Sequence, residues 1–206
     1  MTVTRSIGWF CGRILEKIVS SLALSRIHPN VLTFIGLLIN VWAAYWFAAG
    51  KFFAAGLVVI GAGLFDMVDG RVARETNRVT RFGGFFDSVL DRYSDLGLYI
   101  GLLVYYASIN RFFYIVLTAI VMTGSVMVSY TRTRAENEIP KCKVGFLERP
   151  ERVVLIIIGG LFDRMAPALW VIAVLSNLTV IHRMIYTWQE SKRLEHAQLR
   201  SVRVLQ

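Results

Sequence analysis

Long apolar stretches are the feature that most constrains the fold of this 206-residue chain. Residues 30–50 and 100–108 would be apolar on every side of a helix, whereas a water-soluble domain of this size alternates apolar and polar faces. Hydrophobic residues make up 55% of the sequence. The pattern indicates lipid as the surrounding solvent and predicts an all-α integral membrane protein.

Six transmembrane helices are predicted, preceded by one amphipathic helix lying at the membrane surface. The expected spans cover residues 30–49, 52–76, 82–108, 112–136, 149–163 and 165–188. Residues 5–26 place their apolar side chains largely on one side, which is typical of an interfacial helix. We expect one membrane domain over residues 1–206, with the six-helix bundle at 30–188 and a charged cytosolic tail at 189–206.

The basic residues predict the orientation in the membrane. The net charge is +9, but the basic side chains gather at the ends of apolar segments instead of forming a stripe, which argues against a nucleic-acid partner. Of the 23 Lys and Arg residues, nineteen fall on one side, three (Lys51, Arg111 and Arg164) fall on the other, and Arg92 lies within the third span. Cytosolic loops carry such an excess, so we expect a multi-pass cell-membrane protein with both termini in the cytosol.

Four aspartates lie where the second span ends and the third begins. Asp66 and Asp69 are three residues apart and Asp87 and Asp91 are four apart, so each pair shares one helical face. A short turn near residues 76–81 joins the two helices, which lets the two faces oppose each other. Converging carboxylates repel, and Mg²⁺ or Mn²⁺ relieves that repulsion with oxygen ligands. The pattern predicts a metal site near the cytosolic face.

A simpler interpretation pairs these aspartates with nearby arginines. Charged groups within spanning helices cost roughly 2.5–3.5 kcal/mol each and commonly pair with one another. Arg71, Arg74, Arg78 and Arg92 are close enough in sequence to serve as partners. Both interpretations stay open at the level of the residues alone.

The aspartates belong to a longer pattern, Asp-x2-Asp-Gly-x2-Ala-Arg-x8-Gly-x3-Asp-x3-Asp. The pattern is matched without departure by Asp66, Asp69, Gly70, Ala73, Arg74, Gly83, Asp87 and Asp91. It resembles the signature of the CDP-alcohol phosphotransferase family, which transfers a phosphatidyl group from CDP-diacylglycerol to an alcohol and releases CMP. The resemblance implies a six-helix fold with a surface helix, a site open to the cytosol and a homodimer.

The resemblance also implies roles for individual residues. Two metal ions would be bound, the first by Asp66, Asp69 and Asp87 and the second by Asp66, Asp87 and Asp91, with Asp91 also acting as general base on the acceptor hydroxyl. The CDP group would be contacted by Asn30, Thr33, Gly70, Arg74 and Thr80. Close members of the family have Asp where this chain has Asn30. The alternative for the small residues at 70, 73 and 83 is a role in helix packing alone.

Arginines are dense around the loop between the fourth and fifth spans. Residues 129–136 and 145–152 suggest an anion pocket, because guanidinium groups match phosphate geometry. Positive-inside topology and lipid headgroup contact are the generic alternative. The two segments are similar to the phosphatidylinositol phosphate synthase branch of the family, which implies that Ser129, Arg132, Arg152 and Arg183 hold the acceptor's phosphate.

The predicted acceptor is therefore inositol phosphate, with phosphatidylinositol phosphate as product. Two departures from the branch leave room for another acceptor: Arg132 stands where Lys is usual, and the loop containing Lys141 and Lys143 differs. Glycerol 3-phosphate, the acceptor of phosphatidylglycerophosphate synthases, is the runner-up, followed by another alcohol of the same family.

Two other protein classes could use carboxylates inside a membrane. An intramembrane prenyltransferase would need two separated aspartate-rich motifs, which this sequence lacks. A transporter would distribute ionisable residues through the depth of the membrane. Here they gather near one face, which favours the enzyme.

Overall fold

The computed structural model describes residues 28–75 and 79–204, and every regular element within those ranges is a helix. The helices are α1 (Pro29–Ala48), α2 (Phe52–Glu75), α3 (Arg81–Ser108), α4 (Phe112–Ala135), α5 (Arg149–Leu161) and α6 (Met165–Val204). The all-α prediction is thus confirmed for this part of the chain. The predicted interfacial helix at residues 5–26 lies outside the described residues.

The helix bounds follow the predicted spans closely, with one large difference at the C-terminal end. Helix α6 was expected to end near residue 188, followed by a charged tail, but it continues to Val204. Residues 189–204 contain neither Gly nor Pro and are rich in Gln, Glu, Lys, Arg and Leu, which are good helix formers. Their polarity does not interrupt the helix.

Within residues 28–75 and 79–204, three helices are long and apolar enough to cross a membrane: α1, α4 and the segment Met165–His196 of α6. The apolar part of α2 is shorter, covering Phe52–Val68. Helix α3 carries several charged residues in its first half, and the 13 residues of α5 rise only about 20 Å, less than the roughly 30 Å of a hydrocarbon core. The chain is therefore a membrane protein in which α1, α4 and α6 are the clearest spanning helices.

The contacts divide the chain into two compact units, one ending at Gly101 and the other beginning at Leu102. In the first unit α1 packs on α2, where buried Leu32 meets Val68 and Val72. Because residues near the start of α1 meet residues near the end of α2, the two helices are antiparallel. Gly101 allows another close approach, since a Cβ there would lie 2.3 Å from the carbonyl oxygen of Ala44.

In the second unit α6 packs against both α4 and α5. Gly124 of α4 lies against α6, where a Cβ would be 3.0 Å from Nδ2 of Asn177. The segment that joins α4 to α5 is also anchored, because Ile139 and Cys142 are buried together with Ala135. The loop with the dense arginines is thus attached to a packed helical unit.

Candidate active site

Asp66 lies half-buried on α2, against the backbone of α1. A Cβ atom added at Gly36 would be only 2.9 Å from Oδ1 of Asp66, so the absence of a side chain on α1 makes room for this carboxylate. The sequence analysis did not identify Gly36 as part of the site. A single Gly inside an apolar helix was the available signal, since such residues often mark a close approach.

Asp87 and Asp91 are half-buried on one face of α3. Arg92, which directly follows Asp91, donates a hydrogen bond to the carbonyl of Ser88, one helical turn back. Asp95 continues the same stripe one turn further and is buried. The sequence analysis overlooked Asp95, although an acidic residue four positions after Asp91 in an apolar helix was a readable signal.

The metal-binding prediction concerns these carboxylates together with Asp69. Among the described side chains, no three His, Cys, Asp or Glu residues form a group that could hold a metal ion. The side chain of Asp69 lies outside that set, so the convergence of all four aspartates stays a prediction. The donor chemistry fits a hard divalent cation, because Asp66, Asp87 and Asp91 offer oxygen atoms only and each remains partly accessible.

Two of the predicted CDP-contacting residues lie together at the start of α3. The hydroxyl of Thr80 accepts a hydrogen bond of 2.9 Å from the backbone N–H of Gly83 and so caps the helix. A Cβ at Gly83 would be 2.9 Å from Oγ1 of Thr80 and 3.4 Å from Oδ1 of Asn30. The structure therefore brings the side chains of Asn30 and Thr80 close together beside this glycine.

The other three residues predicted to contact CDP lie in α1 and α2. Thr33 is buried in α1, and its hydroxyl donates to the carbonyl of Pro29 at 3.2 Å. Arg74 is exposed in the last turn of α2. Gly70 lies in the same helix. These three assignments stay predictions.

Arg183 is the most constrained of the four residues predicted to hold the acceptor's phosphate. Its side chain is 1% exposed, with Nη1 donating to the carbonyl of Val128 at 2.5 Å and Nε donating to the carbonyl of Val144 at 2.8 Å. Its Nη2 donates to Oε1 of Glu148 at 3.0 Å. Arg183 thus joins α6 to the end of α4 and to the loop before α5.

Arg132 shares the same carboxylate. Its Nη1 lies 3.0 Å from Oε1 of Glu148, and its Nε lies 3.3 Å from Oε1 of Glu136. A single oxygen atom of Glu148 therefore bridges Arg132 and Arg183. No role for Glu148 could be read from the sequence, because Glu148 lies 16 residues from Arg132 and 35 residues from Arg183 in the chain.

Ser129 and Arg152 lie close in sequence to the residues that contact Arg183, namely Val128 and Glu148. Ser129 directly follows Val128, whose carbonyl accepts from Arg183. The backbone N–H of Arg152 donates to the carbonyl of Glu148, and the Arg152 side chain is 1% exposed. Arg152 takes part in further polar contacts, and its guanidinium nitrogens Nε and Nη1 are fully buried. Buried guanidinium nitrogens favour an anionic partner.

The loop before α5 is fastened to α6 by Thr179. The Thr179 hydroxyl accepts hydrogen bonds from the backbone N–H groups of Phe146 (3.0 Å) and Leu147 (3.1 Å) and donates to the carbonyl of Leu175 (2.7 Å). Gly145 has a φ of +142° and lies so close to Thr179 that a Cβ would approach its methyl group to 2.6 Å. This loop geometry places Glu148 beside the arginines.

Comparison with known proteins covers most of the chain. The family described as CDP-alcohol phosphatidyltransferase matches residues 26–189. An archaetidylinositol phosphate synthase of Pyrococcus horikoshii is 38% identical over 182 residues, which cover 88% of this chain and 93% of that protein. A phosphatidylinositol phosphate synthase of Mycobacterium tuberculosis is 35% identical over 188 residues, which cover 86% of this chain and 87% of that protein.

Solved structures of the Mycobacterium tuberculosis phosphatidylinositol phosphate synthase share the fold. A crystal structure with CDP-DAG bound superimposes with a TM-score of 0.79 and 32% identity, covering 85% of this chain and 94% of that one. A second crystal structure, in complex with manganese and citrate, also has a TM-score of 0.79, with 33% identity and coverage of 84% and 88%.

Proposed function

Because this chain belongs to the CDP-alcohol phosphatidyltransferase family, we propose that it transfers a phosphatidyl group from CDP-diacylglycerol to inositol phosphate, giving phosphatidylinositol phosphate and CMP. As a member of that family it is a metal-dependent membrane transferase of phospholipid biosynthesis. The observation that carries the choice of a phosphorylated acceptor is the arginine cluster of the second unit, where Arg152 and Arg183 are both buried and Arg132 lies beside Arg183. The relatives named as inositol phosphate lipid synthases support inositol phosphate as that acceptor.

The proposed metal site holds two ions, Mg²⁺ or in its place Mn²⁺. Asp66, Asp69 and Asp87 would bind the first ion, and Asp66, Asp87 and Asp91 the second. When bound, the ions neutralise the diphosphate and stabilise the departing CMP. Half-buried carboxylates on α2 and α3 support this assignment, as does the manganese complex of the related synthase.

The chain's own residues bind the two substrates and move the proton. Asp91 accepts the proton of the acceptor's hydroxyl group. The hydroxyl oxygen then forms a bond to the lipid-linked phosphorus, while the bond from that phosphorus to the CMP oxygen breaks. The CDP group is held by Asn30, Thr33, Gly70, Arg74 and Thr80, and the neighbouring positions of Asn30 and Thr80 support that assignment.

The acceptor's phosphate is bound by Ser129, Arg132, Arg152 and Arg183 in this proposal. Phosphate oxygens are strong acceptors for guanidinium groups, and a buried arginine gains most from such a partner. Free inositol lacks this group and should be a poor substrate. Glycerol 3-phosphate carries a phosphate as well, so the shape of the polyol has to be tested separately.

The lipid part of the donor has a second candidate. The relative from Pyrococcus horikoshii, at 38% identity, is named for an archaetidyl product, whereas the mycobacterial relatives are named for a phosphatidyl product. A CDP-activated archaetidyl lipid is therefore the alternative donor. Both donors present the same CDP group, so the polar site does not distinguish them.

We also propose six membrane-spanning helices, a site and both termini facing the cytosol, and a homodimer. The nineteen-to-three distribution of basic residues supports the orientation, and the family resemblance supports the dimer. Reporter fusions at the two termini test the orientation, and cross-linking of the purified protein tests the dimer. A terminus on the far side, or a monomer at all concentrations, would contradict the respective proposal.

Release of CMP from purified protein tests the function. The assay combines CDP-diacylglycerol or its archaetidyl counterpart with inositol phosphate, glycerol 3-phosphate, free inositol or no acceptor, each with Mg²⁺ or with EDTA. We expect CMP only with inositol phosphate and metal. Preference for glycerol 3-phosphate would reassign the acceptor, and no CMP release under any condition would favour a transporter with buried carboxylates.

A further inference from the structure

The carboxylate of Glu148 binds the guanidinium nitrogens that an anionic ligand could bind. Arg183 is held by the carbonyls of Val128 and Val144 through Nη1 and Nε, so its position does not depend on Glu148. Its Nη2 is the remaining nitrogen, and that atom donates to Oε1 of Glu148 at 3.0 Å. The carboxylate thus accepts from Nη2, the guanidinium nitrogen of Arg183 that does not donate to a backbone carbonyl.

The same oxygen atom engages Arg132. Nη1 of Arg132 lies 3.0 Å from Oε1 of Glu148, so one anionic oxygen satisfies two guanidinium groups on different helices. An oxygen of a bound phosphate that contacted both groups would occupy the position of Oε1. Two anions within one such site repel each other strongly at low dielectric.

We propose that the Glu148 carboxylate is an internal stand-in for the acceptor's phosphate, which the acceptor must displace in order to bind. The inference rests on the proposed function, whose acceptor site contains Arg132 and Arg183. It assigns Glu148 a role in acceptor selection that is separate from the chemistry of transfer.

The placement of Glu148 allows such an exchange. Its backbone N–H donates to Oε2 of Glu151 at 2.9 Å, and the preceding N–H groups are held by Thr179, so the backbone is fixed. The side chain is 45% exposed, whereas that of Arg183 is 1% exposed. Glu148 also caps α5, because its side chain accepts from the backbone N–H of Glu151 in a capping box. A carboxylate that turns into solvent gives up this cap at a cost of about 1 kcal/mol. The hydrogen bonds of Thr179 to the loop and the two carbonyls that hold Arg183 remain in place.

The stand-in makes binding selective for strongly anionic acceptors. An acceptor binds only to the fraction of molecules in which the carboxylate has left, and its apparent affinity falls in proportion to that fraction. A phosphate dianion forms charge-assisted hydrogen bonds with both guanidinium groups and can compete. A neutral alcohol has no group that replaces the carboxylate.

Substitution of Glu148 by Gln tests the role. The amide keeps the shape and an acceptor oxygen but loses the charge, so it holds the arginines less tightly. We expect the KM for inositol phosphate to fall about three- to tenfold, as follows if the carboxylate is seated most of the time. The kcat and the KM for the CDP-activated lipid should stay within about twofold, and inorganic phosphate should inhibit more strongly.

Glu138→Gln is the matched control. Glu138 carries the same charge, lies in the same segment and pairs with Arg134 at 2.9 Å on the exposed side of α4. This variant should leave the KM for inositol phosphate within about twofold of wild type. If it lowered KM as much as Glu148→Gln, a general gain in positive charge would explain the effect and the stand-in would be refuted.

An increase in the KM for inositol phosphate would identify Glu148 as a positioning residue instead. If Glu148 mainly held Arg132 in place, Glu148→Gln would raise the KM for inositol phosphate. A raised or unchanged KM therefore overturns the proposal. Should Glu148→Gln fail to fold, Glu148→Asp decides the question, since the side chain, shorter by one methylene, cannot bridge both arginines and should also lower KM.

A binding experiment separates this inference from the proposed function. Calorimetric titration of the purified full-length protein with inorganic phosphate requires no turnover. If wild type released no CMP with inositol phosphate, the proposed function would fail, yet tighter phosphate binding by Glu148→Gln would still support the stand-in. Equal or weaker binding by the variant, or no binding by either protein, would overturn it.

Discussion

Replacing Gly36 by Ala should weaken metal binding, although Gly36 is not itself a metal ligand. Gly36 faces Asp66, one of the two aspartates that the proposed site shares between both ions. An added Cβ would lie 2.9 Å from Oδ1 of Asp66, whereas ordinary contact begins at 3.4 Å. The carboxylate oxygen must therefore retreat by about 0.5 Å, the difference between these two distances.

A displacement of this size is large for a metal ligand. Coordination distances in working sites hold within about 0.2 Å, and Mg²⁺ demands near-ideal octahedral geometry. Substitutions beside a metal ligand typically cost about ten- to a hundredfold in metal affinity. We expect the Mg²⁺ concentration for half-maximal CMP release to rise by about that factor, with much of the turnover restored at saturating Mg²⁺.

The assay is a Mg²⁺ titration of CMP release at saturating lipid and acceptor, accompanied by thermal unfolding of each purified protein. Gly61→Ala is the matched control, because Gly61 lies in the apolar part of α2 and a Cβ there would meet nothing within 4 Å. That variant should keep the Mg²⁺ dependence of wild type. A folded Gly36→Ala protein with unchanged Mg²⁺ dependence would refute the assignment of Asp66 as a shared ligand.

Three further substitutions separate chemistry, acceptor binding and stability. Asp91→Asn should abolish CMP release with every acceptor while the thermal unfolding temperature is retained; residual acceptor-dependent turnover near the wild-type rate would remove Asp91 from the proposed roles. Arg152→Ala should raise the KM for inositol phosphate about ten- to a hundredfold and leave the KM for the lipid unchanged, and an effect confined to the lipid would disprove the anion pocket. Thr179→Val should lower the unfolding temperature, because it strands the N–H groups of Phe146 and Leu147 at a cost of about 1–3 kcal/mol each, whereas Thr179→Ser keeps the acceptor oxygen; equal stability of the two variants would contradict this reasoning.

Helix positions could be predicted from the sequence because they depend on local information. The apolar runs that define α1 and α4 end at turn-forming residues, and the observed bounds lie within two residues of the predicted ones. The sequence predicts that the sixth span ends near residue 188 and that a charged tail follows, and the structure adds that the helix itself continues through the tail to Val204. Polarity indicates where a helix leaves the membrane, but it does not end a helix whose residues remain good helix formers.

The site was predictable only where its residues lie close together in sequence. Asp87 and Asp91 share a face of α3 because of their spacing alone. The role of Gly36 depends on how α1 approaches α2, and the bridge from Glu148 to two arginines depends on a loop attached to α6. Such contacts arise from tertiary packing, which spacing rules do not describe.

The position of Arg183 has a consequence for biogenesis. Every acceptor described for its side chain, the carbonyls of Val128 and Val144 and the carboxylate of Glu148, precedes it in the chain. A ribosome therefore completes these groups before the last helix emerges. Because its partners are already in place, the buried side chain of Arg183 does not have to enter its packed position unpaired. Translation thus makes the insertion of α6 the step that completes the arginine cluster.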